Sequence, residues 1–155
     1  MNIAKELHFD LLLAKVRAKT QPEIFKTLAR EAAPLCDSDM LTLFGVFEQN
    51  VTERTFHMDE GVAIFDVTSP YIQKPVMAMM TFDQDVYYES LDGMPINIMA
   101  VVLSPETSAP YHLQSLASVS RLLHSENLCE ALRDVKDADS MQMLFMPTQD
   151  WMIAA

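Results

Sequence analysis

Apolar residues recur at two different periods along this chain, and the changes of period divide it into three parts. In the first part, Ile24, Phe25, Leu28, Ala29 and Ala32 fall on one face of a 3.6-residue repeat. Thr20 and Glu23 stand ahead of them at the spacing of a capping box. The pattern predicts a helix that begins after Thr20 and stops before Pro34. Asp37 or Ser38 is placed to cap a second helix whose Met40, Leu41, Phe44 and Phe47 turn inward. Ahead of both helices, Leu11 to Ala18 reads as a strand emerging from a polar lead.

The middle part changes period. Gly61 to Phe65, Pro75 to Met80 and Ile96 to Leu103 are short, nearly continuous apolar runs, as expected of strands buried on both faces. Asp92-Gly93, ahead of Met94-Pro95, marks the turn that feeds the last run. Helical spacing then returns with Leu113, Leu116, Val119 and Leu123 behind Ser108, and with Leu128, Ala131, Leu132 and Val135 behind Ser125. A short segment from Met141 to Phe145 follows a cap at Asp137 or Asp139. Helices before and after a buried sheet predict an α/β fold, a single mixed β-sheet flanked by helices on both faces. The chain has 155 residues, three glycines and no repeat or linker, so residues 1–155 read as one domain.

Charge narrows the choice of partner. Eleven Lys and Arg stand against 22 Asp and Glu, a net charge of −11, with an isoelectric point near 4.6. Such a surface repels phosphate backbones and anionic lipid, which disfavours nucleic acid and polybasic membrane contacts. Two cysteines, Cys36 and Cys129, lie far apart in no metal-like spacing and suit a reducing cytosol. The apolar burst Leu11 to Ala14 is too short for a signal-peptide core, and no run reaches membrane-spanning length. A soluble, bacterial-style cytoplasmic domain is expected.

The order of these segments carries a more specific signal. The Gly61-Val62-Ala63-Ile64 strand, the stretch from Leu91 to Pro105, His112-Leu113 with Leu116 three further on, and the Leu122 to Leu132 helix occur in sequence. This arrangement resembles the enzyme IIA domain of the fructose/mannitol and nitrogen-regulatory class of the bacterial phosphotransferase system, over roughly residues 8 to 146. The resemblance implies the enzyme IIA sandwich fold. It also implies protein partners: a transporter, a sensor kinase or the phosphocarrier HPr. In that family the Gly-Val-Ala-Ile strand ends in Pro-His, and the His takes a phosphoryl group from HPr.

Here those two positions are Phe65 and Asp66. The family's Thr-Gly-x-Gly-x loop is replaced by Thr55-Phe56-His57-Met58-Asp59-Glu60, and the stretch that carries its active-site Arg reads Glu48-Gln49-Asn50. The family's second histidine keeps a counterpart in His112. Phosphorylating an imidazole requires a neutral nitrogen nucleophile and donors around three phosphate oxygens. Loss of the nucleophile, the Arg and the loop glycines, with acidic residues gained at 59, 60 and 66, predicts that transfer is lost. On this reading Asp66→His alone does not restore it. Asp66 instead places a fixed negative charge beside the first turn of the helix bearing His112, in imitation of a permanently modified state.

Three functional readings follow. The leading one is a phosphorylation-incompetent regulatory domain, not an enzyme, that binds a protein partner through Phe65, Asp66, His112 and Met58. The alternative is an active phosphocarrier using His112 or Asp66. The third is a metal- or ligand-binding module in which His57, Asp59, Glu60, Asp66 and His112 converge, although His57-x-Asp59 matches no established ligand spacing; no metal or other cofactor is assigned. His8 and His124 read as surface residues, and Cys36 as a buried thiol unless it is exposed at a helix start. Met77, Met79, Met80, Met99, Met141 and Met143 read mostly as core. Met58, Met94, Met146 and Met152, with Phe56, Phe65 and Trp151, are candidates for an adaptable docking face, although scattered, partly exposed side chains are the commoner explanation of such residues.

Overall fold

The computed structural model describes residues 8–58 and 60–146. Five strands form one sheet in the order β1-β4-β5-β3-β2: β1 is Leu11–Val16, β2 Thr55–His57, β3 Val62–Ser69, β4 Val76–Tyr88 and β5 Met94–Pro105. β1 and β3 run parallel to their neighbours β4 and β5, while β2–β3 and β4–β5 are antiparallel. The sheet is therefore mixed. Helices α1 (Gln21–Cys36) and α2 (Met40–Asn50) cover one face, and α3 (Ala109–Leu123), α4 (Glu126–Asp134) and α5 (Ala138–Leu144) the other.

Strand parity divides the core in two. On β3, Ala63, Phe65 and Val67 pack toward α1 and α2, while Val62 and Ile64 pack toward α3 and α4. On β5, Met99, Val101 and Leu103 take the first side and Ile98, Ala100 and Val102 the second. The first core is aromatic: Phe65 meets the ring of Phe25 at 4.8 Å and that of Phe47 at 5.5 Å, both edge-on. Phe65 is therefore a core side chain with no exposed surface. Its expected place at a partner contact is corrected, because position 65 points to the opposite face from Asp66.

The helix ends differ from expectation at α1 and α2. Helix α1 runs through Pro34 to Cys36, because a proline in the last turn forfeits only one intrahelical bond. Asp37 then adopts a left-handed conformation, φ 58°, and ends α1 instead of starting α2. Asp39 is the cap of α2, accepting from Thr42 N–H at 2.9 Å. These bonds hold the Asp39 carboxyl below its ordinary range, the side-chain bond from Thr42 foremost. Leu41 falls opposite the buried stripe of Leu43, Val46 and Phe47 and is 80% exposed. Leu113 and Met143 are likewise exposed, whereas Met77, Met79, Met80, Met99 and Met141 are core residues. Thr20, Ser125 and Asp137 cap α1, α4 and α5 through their side chains, and Ser108 stands at the start of α3 without such a bond.

Strand β2 is the element that periodicity did not predict. Three residues are too few to show a period, and its placement depends on Thr55 bonding Val51 O at 2.5 Å and Tyr88 Oη at 3.0 Å. Gly61, with φ +74°, turns the chain from β2 into β3, and its carbonyl accepts from Asn97 N at 2.8 Å and Ile98 N at 3.0 Å. A Cβ on Gly61 would lie 2.6 Å from Asn97 Nδ2. That amide is itself tied to Asp85 at 3.0 Å and to Arg133 at 2.9 Å. Gly93 has the same φ but open space around it. Gly61→Ala is thus expected to cost about 2 to 3 kcal/mol in urea denaturation, against about 1 to 2 kcal/mol for Gly93→Ala, the left-handed penalty alone. Equal losses would show that the Asn97 contact yields freely.

Candidate functional site

Strand parity and register build the site. Asp66 and Ser104 have the parity of the sheet face toward α3; Asp66 pairs with Val102, and Thr68 with Ser104, in parallel register. The side chains of Asp66 and Ser104 thus stand on adjacent strands of one face. Helix α3 crosses above them, and its inward stripe begins with His112, followed by Ser115 and Val119. His112 fills the gap. Its Nε2 lies 2.9 Å from Asp66 Oδ1 and its Nδ1 2.8 Å from Ser104 Oγ.

A fourth residue completes the network from the sheet edge. The antiparallel register that pairs Thr55 with Phe65 continues outward by one residue, and Asp66 N–H donates to Arg54 O at 3.2 Å. The Arg54 guanidinium turns back to form an ion pair with Asp66 Oδ1, and its plane rests 5.9 Å from the centre of the Phe56 ring. Asp66 is fully buried and His112 nearly so, while 42% of the Arg54 side chain reaches solvent. Asp66 Oδ2 is buried with no hydrogen-bond partner among the described residues.

The electrostatics follow from burial. Moving a carboxylate out of water costs several kcal/mol, and a cation at about 4 Å returns roughly 4 kcal/mol at an effective dielectric near 20. The pair is therefore close to balance while both charges are present. It is strongly unfavourable when one is removed. A neutral imidazole satisfies every polar partner: Nε2–H donates to Asp66, and Nδ1 accepts the Ser104 hydroxyl.

The Ser104–His112–Asp66 distances match those of a nucleophilic triad. Ser104, however, has no exposed surface and its hydroxyl is engaged by His112. A triad nucleophile needs an open position for its substrate, which this serine lacks.

The expectation that no Arg serves this site is corrected. Arg54 supplies the guanidinium from four residues beyond the Glu48-Gln49-Asn50 stretch, through the strand that periodicity did not reveal. Glu60 is not a neighbour of Asp66. Glu60 precedes it by six residues, about 20 Å along an extended chain. Its carbonyl oxygen accepts from Arg133 at 2.6 Å, at the far end of the sheet. His57 pairs with Ala63, of the opposite parity to Asp66. Asp59 lies outside the described residues, as do Trp151 and Met152. Among the described residues, no group of three or more His, Cys, Asp and Glu could hold a metal ion. The proposed convergence of His57, Glu60, Asp66 and His112 does not occur.

Met58 is half-buried against the core under α3. Phe56, Tyr111 and Leu113 are the large exposed side chains carried by β2 and the first turn of α3. His8 and His124 are exposed, and both cysteines are buried.

A fold and a site of this kind can be compared with known proteins. The family model for the phosphoenolpyruvate-dependent sugar phosphotransferase system, EIIA 2, matches residues 7–146. The chain belongs to that family. Among relatives of this enzyme IIA-type chain, the nitrogen regulatory protein of Bradyrhizobium diazoefficiens is 27% identical over 132 residues, covering 85% of this chain and 86% of the relative. The nitrogen regulatory protein of Pseudomonas aeruginosa is 25% identical over 128 residues, covering 83% and 81%. In fold, the enzyme IIA-type chain matches the nitrogen regulatory protein IIA-Ntr from Neisseria meningitidis with a TM-score of 0.77 at 16% identity, over 93% of this chain and 99% of that one. It matches enzyme IIAMTL of Escherichia coli, determined in complex with phosphorylated enzyme IIBMTL, with a TM-score of 0.70 at 14% identity, over 90% and 96%.

Two measurements test the site's energetics. Arg54→Gln is expected to lower unfolding free energy by about 2 kcal/mol, the buried-pair penalty reduced for the partial exposure of Arg54. Asp66→Asn in the same chain should recover most of that loss; additive losses in the double variant would mean that the two charges are not coupled. Burial, with a smaller contribution from the Asp10 charge, pushes the Cys36 thiol up to about 12. Native protein at pH 8 should therefore resist iodoacetamide at this residue and react only once unfolded.

Proposed function

We propose that this enzyme IIA-type domain does not carry phosphate and acts as a cytoplasmic, protein-binding regulator. One observation carries the reading: the acceptor position holds a carboxylate whose Oδ1 is occupied by Arg54 and His112. Neither candidate nucleophile is free. Asp66 is fully buried, and both nitrogens of His112 are hydrogen-bonded. A nucleophile needs a lone pair that faces its electrophile, and the one unbonded oxygen, Asp66 Oδ2, is closed off from solvent.

The domain's fixed charge imitates a modified state without the second negative charge of a phosphoryl group. The partner contact is formed at the sheet edge beside the buried pair, where Arg54 and Phe56 reach solvent next to each other. An arginine beside an aromatic ring has the composition of an interface anchor. Asp66 and His112 act on a partner through Arg54. Relatives named as nitrogen regulatory proteins support a regulatory role, and the partner proposed for it is a sensor kinase or a transporter. The enzyme IIAMTL complex supports protein binding by this fold. No helix among the described residues is long and apolar enough to cross a membrane.

Incubation with phosphoenolpyruvate, the general phosphotransferase enzyme and HPr tests the proposal. Wild-type protein should take up no acid- or base-labile phosphate, and label on His112 or Asp66 would overturn it. Because Arg54 stands beside position 66, Asp66→His is now expected to accept label, and Asp66→His with Arg54→Gln is not. An unlabelled single variant would show that the altered loop, not the acceptor alone, abolishes transfer.

A further inference from the structure

Three of the four side chains in the buried network can change or compensate charge, but only one of them meets solvent. Arg54 lies on the sheet edge, and Asp66 and His112 lie inside. The groups facing the imidazole are Asp66 from β3 and Ser104 from β5, with Arg54 behind the carboxylate and no other charged residue hydrogen-bonded to it among the described residues. The buried carboxylate needs one compensating cation. Two groups can supply it: the permanent cation of Arg54, or His112 after it takes up a proton.

We propose that Arg54 sets the charge of His112. While the guanidinium holds Asp66, the imidazole stays neutral, with Nε2–H toward Asp66 and Nδ1 accepting from Ser104. When the guanidinium leaves Asp66, one proton moves from solvent to His112 Nδ1. The imidazolium then donates to Asp66 from Nε2 and to Ser104 Oγ from Nδ1, so both ring nitrogens keep a partner while the Ser104 hydroxyl turns its hydrogen away. No bond other than the N–H is made or broken. Nε and one terminal nitrogen of Arg54 face Asp66, so the other guanidinium edge is available to an anionic group on a binding protein. A partner that draws Arg54 away therefore binds with uptake of one proton at His112, which makes the network a coupling device between the exposed edge and the first turn of α3. This inference rests on the network's geometry and stands whether or not the domain accepts phosphate.

The test uses the full chain, without a partner, and nitrogen-15 NMR of the imidazole at pH 7. Wild type should show one protonated ring nitrogen, Nε2. Arg54→Gln should show two. Arg54→Lys, which returns a cation, should restore the neutral signature, and Arg54→Gln with Asp66→Asn should also be neutral, because the charge needing compensation is gone. The double variant also keeps the test open if Arg54→Gln folds poorly, since it removes the buried charge. A doubly protonated ring in wild type would overturn the proposal. So would a singly protonated ring in folded Arg54→Gln, or a doubly protonated one in the double variant.

Discussion

A buried carboxylate with one external cation is the constraint on which the functional end of this molecule depends. Asp66 has no exposed surface, so its charge must be met by groups that the fold brings to it. Each of those groups comes from a different element: Arg54 from the turn ahead of β2, His112 from α3, and the backbone register from β2 and β3. Ser104 on β5 then fixes the other side of the imidazole. The network thereby ties the edge of the sheet to the helix that covers it.

On the function proposed above, the same constraint separates this chain from a phosphate carrier. A carrier site holds a nucleophile whose charge changes during the reaction, surrounded by donors that meet the incoming oxygens. Here the donors Arg54 and His112 are already engaged by the buried carboxylate of Asp66. The residues at the far end of the sheet follow a separate logic. Arg133, Asn97, Asp85 and the Glu60 carbonyl bond to one another around Gly61 and hold the β2–β3 turn against β5 and α4.

Much of the scaffold could be read from pattern. Continuous apolar runs fall on the buried strands β3, β4 and β5, and the stripe Ile24, Phe25, Leu28, Ala29 and Ala32 is fully buried. The strands are longer than the runs, since β4 and β5 extend into a hairpin whose exposed Tyr87 and Met94 carry no continuous apolar signal. Leu41, Leu113 and Met143 were misplaced because an apolar residue is not obliged to be inside. Phe65 and Asp66 show how much parity matters: adjacent in sequence, they serve opposite faces.

The amino-acid sequence by itself determined the α/β class, the two-sided burial of the sheet and the family. Periodicity, caps and motif order are local or linear properties, and they survive without knowledge of what lies across the sheet. Only the tertiary structure decided that Arg54 meets Asp66, that Glu60 and His57 stay away from it, and that Ser104 completes the His112 contacts. Those pairings span gaps of up to 46 residues and depend on strand register. A one-residue slip would turn each side chain to the other face, and nothing in the linear order reveals that register for a strand as short as β2.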